Sequence, residues 1–137
     1  MGEVRVKITL TNAVDEGMAA RGHISPSDVR TVETEGIVDT GAVISTIPRA
    51  VFDELGLRSV GTLEAFLAND QPEQVEQSEA VNVEIEGRRT SEDMLVMGSA
   101  VLIGKTVLER LDFLVDCPGQ RIIPNPAHGN RRMLAVR

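Results

Sequence analysis

Aromatic residues are nearly missing from this chain. Trp and Tyr do not occur, and Phe52, Phe66 and Phe113 are the whole aromatic content of 137 residues. Any substrate pocket is therefore expected to be walled by Val, Leu, Ile and Met, which suits apolar side chains. The single cysteine, Cys117, excludes an internal disulfide, and with two distant histidines, His23 and His128, it excludes a Cys/His zinc site. No metal and no cofactor is expected, and a reducing compartment is the natural setting. Basic residues are outnumbered, 14 Lys and Arg against 21 Asp and Glu for a net charge of −7. That field repels polyanions, so nucleic acid is not an expected partner. No apolar run reaches the roughly 18 residues that suggest a membrane span. The first residues have no apolar core of a secretory signal, and Val6 stands where a myristoylation motif wants Ser or Thr. The expectation is a cytoplasmic protein without membrane contact.

With 42% hydrophobic and 26% charged residues, the chain can bury a core. Its length is that of one ordinary domain, expected to span residues 1–137 with a core at about 4–124 and a polar tail at 125–137. No repeat or low-complexity segment interrupts it. Val4, Val6, Ile8 and Leu10 alternate with Arg5, Lys7 and Thr9 as a first strand. Residues 11–27 carry Gly17, Gly22 and Pro26 as punctuation and read as a long connection of no assigned conformation. Extended character returns at 29–34. Residues 37–38 and 43–47 form two β-branched runs around the polar turn Asp39-Thr40-Gly41-Ala42.

Pro48 and Gly56 bracket a short helix. Residues 62–67 and those after Pro72 flank a polar tip, Asn69-Asp70-Gln71, as a projecting hairpin. Val81, Val83 and Ile85 lead through Gly87 into a strand ending at residues 94–97. Val101-Leu102-Ile103-Gly104 reads as a buried strand, followed by a helix with Thr106 and Glu109 as its capping box. A last hairpin turns at Pro118-Gly119. Many short strands with one or two short helices make a mainly β domain, a small barrel or sandwich.

A carboxylate between two apolar strands loses hydration and needs hydrogen bonds or a partner. Taken alone, Asp39-Thr40-Gly41-Ala42 is an ordinary turn. Order changes that reading. An apolar pair, Asp-Thr-Gly-Ala, an apolar run, a central hairpin and then Leu102-Ile103-Gly104 entering a helix resemble the retropepsin-like aspartic proteases, in particular their single-domain cellular members. The resemblance spans roughly residues 29–124. It implies an all-β, retropepsin-like acid-protease barrel with one or two short helices.

It further implies that Asp39 is catalytic, that the Thr40 hydroxyl ties two active-site loops together, and that Gly41 lets the loop approach water and substrate. Leu102-Ile103-Gly104 matches the element packed beneath the active loop. Ala42 and the segment Leu67, Ala68, Asn69 and Asp70 are the implied substrate contacts, the latter where the family has its flap; the usual glycine-rich tip is absent here.

Aspartic-protease chemistry needs two carboxyls sharing one proton, one activating water and the other hydrogen-bonding the scissile carbonyl. Asp-Thr-Gly occurs once in this sequence and Asp-Ser-Gly not at all. A two-fold homodimer with two copies of Asp39 on its axis would complete the site. The implied activity is that of an aspartic endopeptidase on polypeptide substrates. The alternative is a catalytically silent dimerisation or peptide-binding module of the same fold.

Other features read as ordinary. The segment from Ser99 to Thr106 approaches a phosphate-binding loop, but it opens on Ser, and Val101, Leu102 and Ile103 suit a buried strand better than a phosphate cradle. Lys105 is expected to be solvated. No Gly-x-Ser-x-Gly elbow exists to pair with His23. Asp112 reads as a helix-end and Asp116 as a turn carboxylate, Cys117 as a small apolar filler. His128, Arg131, Arg132 and Arg137 read as parts of a solvated tail.

Overall fold

The structure, a computed structural model, describes residues 3–67 and 69–136. Its elements run β1 (Arg5–Asn12), α1 (Ala13–Ala20), β2 (Thr31–Val38), β3 (Thr46–Ile47), α2 (Arg49–Glu54), β4 (Ser59–Phe66), β5 (Pro72–Ile85), β6 (Arg88–Val96), β7 (Val101–Ile103), α3 (Lys105–Leu111), β8 (Phe113–Asp116) and β9 (Arg121–Pro124). The main sheet has the order β1-β2-β7-β3-β6-β5-β4, and β1 also pairs with β5. That extra pairing, Thr9 to Asn12 against Val81 to Glu84, closes six strands into a barrel. The strand β4 stays outside the closed circuit and pairs only with the first half of β5. The expected all-β barrel is present, with three short α-helices rather than one or two.

Alternation along β1 and β5 sends Ile8, Leu10, Val81, Val83 and Ile85 inward, where they meet Ile47, Met94, Ile103 and Leu111 in one buried cluster. The parallel pairs β2–β7 and β3–β6 place the polar loop after β2 at one end of this core.

Two expectations need correction. Residues 13–20, left unassigned, form α1: the side chain of Asn12 accepts from the Asp15 amide at 3.0 Å, and Asp15 and Glu16 fill the first turn. Gly17 inside that helix had the look of a loop signal. The predicted capping box at Thr106 and Glu109 does not form. Gly104 is the N-cap of α3, without a side-chain cap. The amides of Lys105 and Thr106 donate instead to Ala42 O (2.8 Å) and Val43 O (3.3 Å) of the polar loop. Those carbonyls satisfy the free N–H groups of the helix start that a capping side chain otherwise serves.

The C-terminal residues also differ from a solvated tail. Asp112 ends α3 in the left-handed conformation, and its carboxylate accepts from Met133 N (3.0 Å) and Asn125 Nδ2 (3.2 Å) and meets His128 Nδ1 at 2.5 Å. Arg132 donates to the carbonyls of Arg110 and Arg89. Cys117 is exposed at the β8–β9 turn rather than filling a core position, because that hairpin's tip stands clear of the barrel interior. Lys105 is exposed and Asp116 sits in its turn, paired with Arg121, as expected.

Candidate functional site

The polar loop of residues 39–45 is built from its own backbone outward. Val38 ends β2 with its amide on Val4 O (2.8 Å), and the next amide, that of Asp39, donates to Ile103 O of β7 (2.9 Å). The chain then turns: Ala42 N donates to Asp39 O (3.1 Å), and Gly41 N donates to Asp39 Oδ1 (3.0 Å). A short carboxylate holding an amide two residues on is a common way to fix a tight turn. The second oxygen, Oδ2, has no hydrogen-bond donor among the described residues. Asp39 is half-buried, and Thr40 and Gly41 are exposed beside it. One half-buried carboxylate thus sits in a hydrogen-bonded turn at the barrel's end, with one oxygen uncommitted among the described residues.

The mount is the start of α3. A Cβ on Gly104 would lie 2.8 Å from the Ile44 carbonyl carbon and 3.0 Å from Ala42 O, so only glycine lets β7 and the loop approach this closely. The Gly104 amide donates to Ser45 Oγ (2.9 Å). Ser45, fully buried, is held at two more points: its amide donates to Glu92 Oε2 (3.1 Å) and its carbonyl accepts from Leu95 N (3.1 Å). Neither Ser45 nor Glu92 was marked by the sequence. Ser45 is a lone hydroxyl in an apolar run, and Glu92 sits in a strand of ordinary alternation; only the folded register joins them.

The predicted flap is the free end of the β4–β5 hairpin. Leu67 N donates to Gln71 O (3.1 Å), Asp70 N to Leu67 O (2.9 Å), and Gln71 N to Asn69 Oδ1 (3.0 Å). Asp70 has φ 60°, so an Asp takes the left-handed turn position where a glycine was looked for. Leu67 is half-buried, and Asn69 and Asp70 are exposed. Ala68, expected among the substrate contacts, lies outside the described residues. Ladder irregularities fall at the hairpin's base, between Ser59 and Gly61 and between Gln77 and Ala80. Of the sequence-marked residues, Asp39, Thr40, Gly41 and Ala42 form one turn, while Leu67, Asn69 and Asp70 form another. No hydrogen bond among the described residues joins the two.

Among the described residues, no three His, Cys, Asp or Glu side chains converge so as to hold a metal ion, and no helix is long and apolar enough to cross a membrane. No protein-family model matches the sequence, and no curated protein matches it. Solved structures do. The retroviral protease-like domain of Ddi1 from Leishmania major aligns over 100% of this chain and 96% of its own, with a TM-score of 0.55 at 13% identity. A retropepsin-like aspartic protease from Rickettsia conorii covers 84% of this chain and 85% of its own, with a TM-score of 0.49 at 17% identity. EIAV protease in complex with an inhibitor covers 56% of this chain and 75% of its own, with a TM-score of 0.45 at 18% identity. On the first of these likenesses, with a closed six-strand barrel carrying a projecting hairpin, the chain has the retropepsin-like fold.

Proposed function

We propose that this protein is an aspartic endopeptidase that acts as a two-fold homodimer, each subunit supplying Asp39 to a shared pair. One observation carries the reading: Asp39 is held by Gly41 N on one oxygen and by Ile103 O at its amide, while its other oxygen has no hydrogen-bond donor among the described residues. The aspartic-protease mechanism takes two carboxyls at once, one ionised and one protonated, and each chain offers one. A second copy across a dyad supplies what one chain lacks, and C2 is the commonest oligomer symmetry.

In that dimer, the ionised carboxylate draws a proton from water while the protonated one donates to the scissile carbonyl oxygen. The two then exchange roles as the tetrahedral intermediate collapses. In the proposed dimer, Thr40, exposed next to Asp39, bonds across the axis. The hairpin tip with Leu67, Asn69 and Asp70 closes over an extended polypeptide substrate in this proposal, with Ala42 lining its path. The working compartment of this proposal is the cytoplasm.

The test is hydrolysis of an unfolded protein by the purified dimer, its block by a statine-type transition-state mimic, and its loss in Asp39→Asn. A dimer that binds unfolded peptides without hydrolysing them at any pH overturns the endopeptidase reading in favour of a silent peptide-binding module.

A further inference from the structure

Resting on that reading, we infer that Glu92 is a positioning residue of the Asp39 loop, acting through the backbone amide of Ser45. The argument begins with the strand β3, which is only two residues long. Thr46 pairs with Leu95 of β6 in parallel register, and Leu95 N donates to Ser45 O. The N–H and C=O of a strand residue point to the same side, so the Ser45 amide also faces β6. In a continuing ladder it would meet a β6 carbonyl. Here the chain has already lifted away into the loop, and the Glu92 carboxylate takes the place of that carbonyl at 3.1 Å.

The placement of Glu92 is otherwise costly. Thr90, Glu92 and Met94 share one face of β6, and Met94 is fully buried, so a carboxylate stands on the row that turns inward. Among the described residues it enters no ion pair. Its exposed side borders a pocket of about 530 Å³ shared with Val43, Ile44, Thr106 and Arg110. An anionic acceptor makes a stronger bond to an amide than a neutral one. The loop is thereby gripped from two sides. β7 and α3 hold Asp39, Ala42, Val43 and the Ser45 hydroxyl, and β6 holds the Ser45 amide and carbonyl. Removing the Glu92 grip frees one side of a loop whose reacting group must meet its dyad mate within a fraction of an ångström.

The experiment compares wild type, Glu92→Ala and Glu92→Gln in steady-state cleavage of a fixed peptide and in amide exchange at Ser45. Glu92→Ala should lower kcat about tenfold to a hundredfold with KM within about twofold, the scale expected when a reacting group is mispositioned. Glu92→Gln, whose amide oxygen still accepts, should restore most of the rate, and Ser45 exchange should rise in the Ala variant alone. Wild-type kcat in Glu92→Ala, or Gln no better than Ala, overturns the assignment. Ser45 exchange does not need turnover. An inactive wild type with exchange raised only in Glu92→Ala therefore sinks the endopeptidase reading while leaving the positioning contact standing, and unchanged exchange sinks the contact itself.

Discussion

The amide of Gly104 donates to the hydroxyl of Ser45 across 2.9 Å, bringing the start of α3 against the inner wall of the Asp39 loop. A methyl group at residue 104 would press on the Ile44 carbonyl carbon and Ala42 O. Both are backbone atoms and cannot rotate away. Gly104→Ala is expected to cost about 1–3 kcal/mol, the range for overpacking a close contact, and to loosen the loop. The urea midpoint measures the first effect and amide exchange at Asp39 and Ala42 the second. An unchanged midpoint would show that the loop yields more easily than its four backbone anchors indicate.

Asp39 and Thr40 are neighbours with separable roles in the proposal. Asp39→Asn should remove turnover and leave the circular dichroism spectrum unchanged, since the Asn side-chain oxygen can still accept from Gly41 N. Thr40→Ala should raise the dimer dissociation constant about thirtyfold, in line with loss of one hydrogen bond of roughly 1 kcal/mol per subunit, about 2 kcal/mol for the dimer. Sedimentation velocity across a concentration series separates this from a direct effect on the chemistry.

The Met133 amide, His128 and Asn125 around Asp112 hold its carboxyl below its usual 3.8. A group depressed on folding stabilises the fold fully above its unfolded value and loses that contribution as pH falls through the lower folded value. Release of residues 125–136 is thus expected only below about pH 3.8, and Asp112→Asn should abolish that pH dependence. Asp15, lowered by Arg30, and Asp116, lowered by Arg121, act with the same sign. Limited proteolysis of the C-terminal segment between pH 5 and pH 2.5 reads the release directly.

Asp70 occupies φ 60° at the hairpin tip, where a residue with a Cβ is strained unless its side chain is short and polar. Asp70→Gly should be neutral, whereas Asp70→Val should destabilise the tip by about 1–2 kcal/mol. The amides of Leu67 and Asp70, which close the turn, report this locally: exchange should accelerate in the Val variant and hold steady in the Gly variant.

The barrel was legible wherever alternation is strict, as at Ile8 and Leu10 or Val81 and Val83, because a period of two has one reading when one face is buried. The Asp39 turn was legible as a motif, and so was the strand leading to Gly104. What escaped notice depends on partners distant in sequence. The start of α3 takes carbonyls of residues 42 and 43 as its cap, so the local Thr106 and Glu109 signal misled. Ser45 and Glu92 are 47 residues apart, and nothing near either one announces the other. His128 found Asp112 only through the fold of the C-terminal segment. In α1, Asn12 and the acidic first turn were a readable start signal, outweighed by the glycines.

The strand β5 runs for fourteen residues and divides its labour. Residues 81–84 complete the closed circuit with β1, and residues 72–78 belong to the arm with β4. Cutting the chain at Asn69, or splicing a foreign segment there, severs no rung of the ring. New termini at that point should be accepted, which makes the arm's end the natural place for a reporter tag or a circular permutation that leaves the scaffold whole.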